Sequence, residues 1–364
     1  MIGSTLVIAE AGVNHNGDLD LARQLVDAAA DAGADCVKFQ TFRADKLASA
    51  SAQKAAYQQQ TTDAGESQRQ MLRRLELSPA AHVELIQRCA DRDIAFLSTP
   101  FDHESLAFLV NDLGLDRLKL GSGELTNGPL LLAAARTGLP LILSTGMATM
   151  QEVEEAVGVL AWGWTDDDAR PRRERFAQAL ASEAGRRLVS QRLVLLQCTT
   201  EYPAPFADVN LRAMRTLGQR FGVAVGLSDH TPGIAVAIAA VARGATVVEK
   251  HLTLDRTLPG PDHRASLEPA QLAAMVTAIR QVEAALGDGA KAPAESELGN
   301  RAIARKGIVA ARPIRAGTPF SPDDLACKRP ESGLSPMRIW DLVDRPARRD
   351  YAEDEAIDAA ELAP

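Results

Sequence analysis

Eight short apolar runs recur along this chain. Each ends in polar residues, and each is followed by a stretch of helical length. The runs are Thr5–Ala9, Asp35–Phe39, Ile94–Leu97, Arg117–Leu120, Leu139–Leu143, Arg192–Gln197, Val223–Leu227 and Ala245–Val248. Apolar runs that alternate with helices make parallel strands, buried on both faces and joined by right-handed crossovers. Eight such repeats predict an α/β fold, a (β/α)8 TIM barrel over residues 1–287. The helical pattern is clearest at Asp18–Ala32, stopped by Gly33, and at Pro269–Leu286, stopped by Gly287.

In that fold the reactive face is the carboxyl end of the strands. Here those ends read Glu10, Gln40, Ser98-Thr99, Ser122-Gly123-Glu124, Ser144-Thr145, Thr199-Thr200, Ser228-Asp229-His230 and Glu249-Lys250-His251. Stability alone does not require eight polar strand ends. The seventh and eighth strands are neighbours, so His230 and His251 are expected to face one point. Two neutral imidazoles suit a divalent transition metal and leave positions open for water and substrate. Asp229, Glu249 and Asp262 lie close by in sequence.

The chain is acidic, with net charge −8 over 364 residues. That argues against nucleic acid or a membrane surface as partner, and an anion must then be bound by a local pocket. Lys38 and Lys119 supply one, because a lysine inside a barrel strand points into the mouth. Thr99, Ser122, Ser144 and Ser228 add hydroxyls, and Gly121, Gly123 and Gly146 admit backbone N–H groups. The set suits a small phosphorylated carboxylate. A rival use of a barrel lysine is imine chemistry, with Lys119 and Lys250 as candidates. A sugar-binding protein without catalysis is a further alternative.

The four cysteines are widely spaced without a CxxC, and Cys36 and Cys198 read as core residues. The start lacks the pattern of a signal peptide, and no apolar run approaches a membrane span. A cytoplasmic location is expected. Residues 43–76 are predicted as a partly helical excursion over the reactive face, and the Arg-rich 162–190 as a solvated surface extension. A linker is expected at 288–304. A small second unit follows at 305–364, with short apolar pieces between Pro, Gly and Asp turns.

The motifs IAEAGVNHNGD, VKFQTF, STPFD, KLGSGE, ILSTGM, CTTEYPAP, GLSDHT, EKHLTLD and PGPDH, with a later KRP, resemble the sialic acid synthase family. The resemblance runs in order from about residue 5 to 360. It implies a barrel followed by an antifreeze-like (SAF) domain in a domain-swapped homodimer. The implied function is N-acetylneuraminate synthase, a transferase that condenses phosphoenolpyruvate with open-chain N-acetylmannosamine and releases phosphate by C–O cleavage. The alternative is a legionaminic acid synthase acting on a 2,4-diacetamido-2,4,6-trideoxymannose. Metal ligands fall on His230 and His251, with Mn2+ or another divalent cation such as Mg2+ or Co2+. Phosphoenolpyruvate contacts fall on Lys38, Thr99, Lys119, Ser122, Ser144, Tyr202 and Ser228, with Thr200 in place of an Asn. Sugar-side residues fall on Gln40, Glu249 and Asp262. Arg329 corresponds to the Arg that the SAF domain inserts into the other protomer's site, and the catalytic set is Asp262, Glu249, Lys119 and Arg329. Asn16 stands where many relatives carry a proton-transferring Glu, and that form resembles the legionaminate branch.

Overall fold

The computed structural model describes residues 4–55, 58–59, 62–63, 65–166 and 170–363. It divides into two compact units, Met1–Gly287 and Asp288–Pro364.

The first unit holds the eight predicted strands: β1 Leu6–Gly12, β2 Cys36–Thr41, β3 Ala95–Pro100, β4 Leu118–Leu120, β5 Leu141–Ser144, β6 Leu193–Cys198, β7 Ala224–Asp229 and β8 Val247–His251. All pair in parallel, in the order β3-β2-β1-β8-β7-β6-β5-β4. β3 and β4 lie side by side at the one seam without a ladder, so the barrel is nearly closed. A main helix follows each strand except β2, whose helix comes after an excursion. They are α1 Leu19–Asp31, α2 Pro79–Asp91, α3 His103–Ala107, α4 Gly128–Arg136, α5 Met150–Thr165, α6 Arg212–Phe221, α7 Ala235–Ala242 and α8 Pro269–Leu286. Local chemistry sets their starts. Asp18 caps α1 by accepting from the Asp20 and Leu21 amides, and Thr149 with Glu152 forms a capping box on α5. The predicted helix over His103–Leu113 is α3 continued by a π-turn at Phe108–Asp112.

Ile8, Cys36, Leu97, Ile142, Leu196 and Val247, one from each of six strands, form a buried plug inside the barrel. Gly226 holds the β7 place in that layer, because a Cβ there would sit 2.2 Å from the Val247 carbonyl oxygen and 2.7 Å from Leu196 Cδ2. Outside the barrel, Val7, Ala9, Val37, Phe39, Leu227 and Val248 face α1, α7 and α8.

Within the 43–76 excursion, residues 56, 57, 60, 61 and 64 lie outside the described residues. Its helix Gln68–Leu75 buries Met71 and Leu75 against Val13 and Phe42, which anchors it beside the β1–α1 loop. Residues 167–169 of the expected surface extension also lie outside the described residues. The rest is two helices, Arg173–Ala181 and Glu183–Arg192. The first buries no residue fully, but Phe176 meets Trp162 edge-on at 5.6 Å. A cleft of about 810 Å3 opens there, lined by Leu131, Val159, Phe176 and Leu180 among others, and none of the strand-end residues named above lines it.

The second unit pairs β9, Gly307–Ala310, antiparallel with β10, Leu325–Lys328. Ile308, Ile314, Phe320, Leu342, Tyr351 and Ile357 form its core. The stretch expected as a linker carries a helix at Glu295–Ala304, started by Glu297 accepting from the Ala294 amide. Among the described residues, no helix is long and apolar enough to cross a membrane.

Candidate active site

Side chains alternate along a strand, so the residue two beyond each plug residue also faces inward. That step places Glu10 above Ile8, Lys38 above Cys36, Thr99 above Leu97, Ser144 above Ile142, Cys198 above Leu196 and Glu249 above Val247. All of these side chains are buried. On β7 the same step leads from Gly226 to Ser228 and then His230, and on β8 from Glu249 to His251.

The charges in this layer alternate. Lys38 Nζ lies 2.7 Å from Glu10 Oε2 and 3.6 Å from Glu249 Oε2, and donates to Thr99 Oγ1 at 3.1 Å. Lys119 Nζ lies 3.2 Å from Glu249 Oε1. Ser228 donates to Glu249 Oε1 at 2.9 Å, and Gln40 to Glu10 Oε1 at 3.0 Å. Burial pushes the Glu249 carboxyl up, but Lys119 and Lys38 outweigh it and hold Glu249 well below the usual carboxylate range. Burial likewise pushes the Lys38 ammonium down, and Glu10 and Glu249 more than restore it. Lys119, facing one carboxylate, stays depressed by its burial. Lys38 is thus held charged in a dry mouth with the Lys119 amine beside the same Glu249 carboxylate, an arrangement that suits an anion site.

Ser122 and Thr200 meet at Gly146. The Gly146 amide donates to Ser122 Oγ at 2.8 Å, and a Cβ on Gly146 would lie 2.2 Å from Thr200 Oγ1. Among the described residues, the buried Ser144 and Thr200 hydroxyl oxygens have no hydrogen-bond partner, which is uncommon for buried polar groups.

His230 and His251 are brought together, with ring centroids 5.3 Å apart. Tyr202 packs on both, at 4.2 and 5.5 Å. His230 Nδ1 donates to the Thr199 carbonyl at 2.7 Å, which leaves Nε2 as the lone-pair nitrogen of the neutral ring. Such a bond on the second nitrogen is typical of a metal-binding histidine. His251 Nδ1 is buried without a hydrogen-bond partner among the described residues, 3.7 Å from Asp262 Oδ2. Burial and then His230 hold the His251 ring well below its ordinary pKa, in the neutral form a cation requires. Among the described residues, no group of three or more His, Cys, Asp or Glu side chains forms a metal cage. The imidazole pair therefore fits a cation only with its other positions left to water and substrate. Burial and then the Glu10 charge raise the Asp262 carboxyl to about 7, so near neutral pH it can hold or give up a proton.

Asn16 adopts φ +52°, which Asn tolerates better than most residues, and its Oδ1 lies 3.3 Å from His263 Nε2. His263 neighbours Asp262, so Asn16 rests on the loop that carries that carboxyl. Burial lowers the His15 and His263 imidazoles to about 4. Their folded pKa values lie below the ordinary value of about 6.5. The unfolded chain therefore gains protons first, and folded stability is lost as pH falls from about 6.5 to about 4. Each ring has no solvent-exposed surface. Each contributes about 3 kcal/mol to that loss. Thermal melts at pH 7.5, 5.5 and 4.5 check this: His263→Gln is expected to show a shallower fall in Tm than the parent protein.

Lys250 does not join the mouth. It faces outward from β8 and pairs with Asp229 at 2.8 Å, so it is no candidate for imine chemistry there. Arg329 lies in the second unit and is exposed. Glu10 is the residue of the cluster to which sequence reasoning gave no role. Its signal was present, since it stands on the same inward alternation as Lys38.

The NeuB family matches residues 25–291, and a SAF domain matches residues 305–363. The chain belongs to the NeuB family. Among its NeuB relatives, the N,N'-diacetyllegionaminic acid synthase of Campylobacter jejuni is 49% identical over 353 residues, covering 97% of this chain and 98% of that protein. The enzyme of the same name from Legionella pneumophila is 45% identical over 337 residues, covering 93% and 88%. A solved N-acetylneuraminic acid (sialic acid) synthetase from Leptospira borgpetersenii superposes with a TM-score of 0.65 at 32% identity, covering 82% of this chain and 90% of that one. Within the NeuB family, the legionaminate alternative thus fits better than the sialic acid reading.

Proposed function

We propose that this protein is an N,N'-diacetyllegionaminic acid synthase, joining phosphoenolpyruvate to 2,4-diacetamido-2,4,6-trideoxymannose with release of phosphate. The observation that carries the chemistry is the buried Lys38–Glu10–Lys119–Glu249 cluster beside the His230–His251 pair. The choice of acceptor rests on the higher identity to the two legionaminate enzymes.

Lys38 and Lys119 hold the phosphate and carboxylate of phosphoenolpyruvate, with Thr99, Ser122, Ser144, Thr200, Tyr202 and Ser228 completing the contacts. Gln40, Glu249 and Asp262 orient the sugar. A divalent cation such as Mn2+, held by His230 and His251, would supply Lewis acidity at the sugar aldehyde. The methylene carbon of phosphoenolpyruvate attacks that aldehyde, water adds to the cation left at C2, and the resulting tetrahedral carbon expels phosphate. Asp262 is the group placed to move a proton, since Asn16 cannot serve as a base. In a domain-swapped homodimer, Arg329 would cap the site of the other protomer.

Phosphate release with each acceptor tests the assignment. The trideoxy sugar is expected to give a kcat/KM at least about 100-fold above N-acetylmannosamine, because a site built to hydrogen-bond a second acetamido group rejects an analogue that lacks it. Equal or faster turnover of N-acetylmannosamine would restore the sialic acid reading.

A further inference from the structure

Lys250 is a fully buried charged residue of the barrel that the chemistry above does not use. It has no exposed surface, and neither its ammonium nor its partner Asp229 faces the mouth. The two are register partners on β7 and β8, and their contact is where the β7–β8 ladder stops. Beyond it, His230 has left the strand and His251 ends its own. Lys250 Nζ continues the connection past the ladder. It lies 2.8 Å from Asp229 Oδ2 and donates to the Thr231 carbonyl at 2.5 Å. Asp229 Oδ1 in turn accepts from the Thr231 amide at 2.9 Å and the Thr231 hydroxyl at 2.8 Å. One ammonium therefore grips the residues on both sides of His230 from the residue before His251.

We propose that Lys250 is a positioning residue for the histidine pair. From outside the barrel it ties the ends of β7 and β8 together and so sets the spacing of His230 and His251. The proposal rests on the reading of those histidines as a divalent-cation site. It explains why a lysine is buried beneath helices at this point. An apolar residue would fill the space, but it could not bond the Thr231 carbonyl where the ladder has ended.

Direct Mn2+ binding to the full chain without substrates, read from the electron paramagnetic resonance of free Mn2+, tests it. Lys250→Met is expected to weaken Mn2+ binding about 10- to 100-fold, the range seen when a residue that orients a metal ligand is lost. At saturating Mn2+ the KM for phosphoenolpyruvate should be unchanged and most of kcat recovered. A merely structural role would instead lower the folded fraction, leaving the affinity of what remains folded intact. Asp229→Asn with Lys250→Met removes both charges at similar volume, so it is the variant to use should the single change fail to fold. It too should bind Mn2+ weakly, since the tie to Thr231 is gone. Parental affinity in either folded variant overturns the proposal. His251→Ala separates the two readings: it should lose Mn2+ binding altogether, and parental binding there would remove the cation site itself.

Discussion

His251→Ala is expected to lower phosphate release at least about 1,000-fold in Mn2+ buffer, with the fold intact. Lewis-acid stabilisation of a developing alkoxide contributes several kcal/mol, and each 1.36 kcal/mol is tenfold in rate. The fold should survive because the ring makes few bonds that its removal would break. Its Nδ1 has no hydrogen-bond partner among the described residues, and its neighbours are the Tyr202 and His230 rings. Chelation of the parent enzyme should reproduce the loss, and re-added Mn2+ should reverse it only in the parent. Circular dichroism beside the phosphate assay gives the check. Undiminished turnover by His251→Ala in chelated buffer would remove the cation from the scheme.

Lys38→Met should damage both activity and stability. Its ammonium lies 2.7 Å from Glu10 and 3.6 Å from Glu249. Without it the Glu10 side chain keeps the Gln40 amide as its hydrogen-bond partner among the described residues, in a buried site. Breaking a buried pair on one side costs about 3–5 kcal/mol. Loss of a charge that holds the substrate phosphate is expected to reduce kcat/KM about 1,000-fold or more. Adding Glu10→Gln should return most of the stability and none of the activity. Denaturant unfolding of the single and double variants measures the first effect, and steady-state kinetics the second. A Lys38→Met protein as stable as its parent would mean that water or relaxation compensates the Glu10 charge.

The barrel was legible because its signal repeats. Eight apolar runs, each with a polar end, leave few alternatives to a closed parallel sheet. The convergence of His230 and His251 followed from one strand–helix–strand unit. The ion pairs were less accessible, because Glu10, Lys38, Glu249 and Lys119 come from four strands distant in sequence, and pairing depends on register. Lys250 is a different case. The alternation that turns His251 inward turns Lys250 outward, so its position was implied by the histidine's. The helix at Glu295–Ala304 was hidden by a Gly- and Ala-rich neighbourhood that reads as a linker. The helices Arg173–Ala181 and Glu183–Arg192 were masked by their Arg-rich surface.

The plug of Ile8, Leu97, Ile142, Leu196 and Val247 closes the barrel directly beneath the charged layer. Among the described residues, that layer blocks access to the site from below. Lys38 stands one rung above the plug, and His251 two rungs above Val247. If, as proposed, phosphoenolpyruvate binds on the lower rung, the sugar would come to rest between it and the exit. The first reactant to enter would then be covered by the second. A sugar that arrived early would bar the way, and the freed phosphate would have to wait behind the nine-carbon product or slip past it. Under the proposed function, order of arrival and departure would be imposed by a layer of aliphatic side chains at the floor of the site.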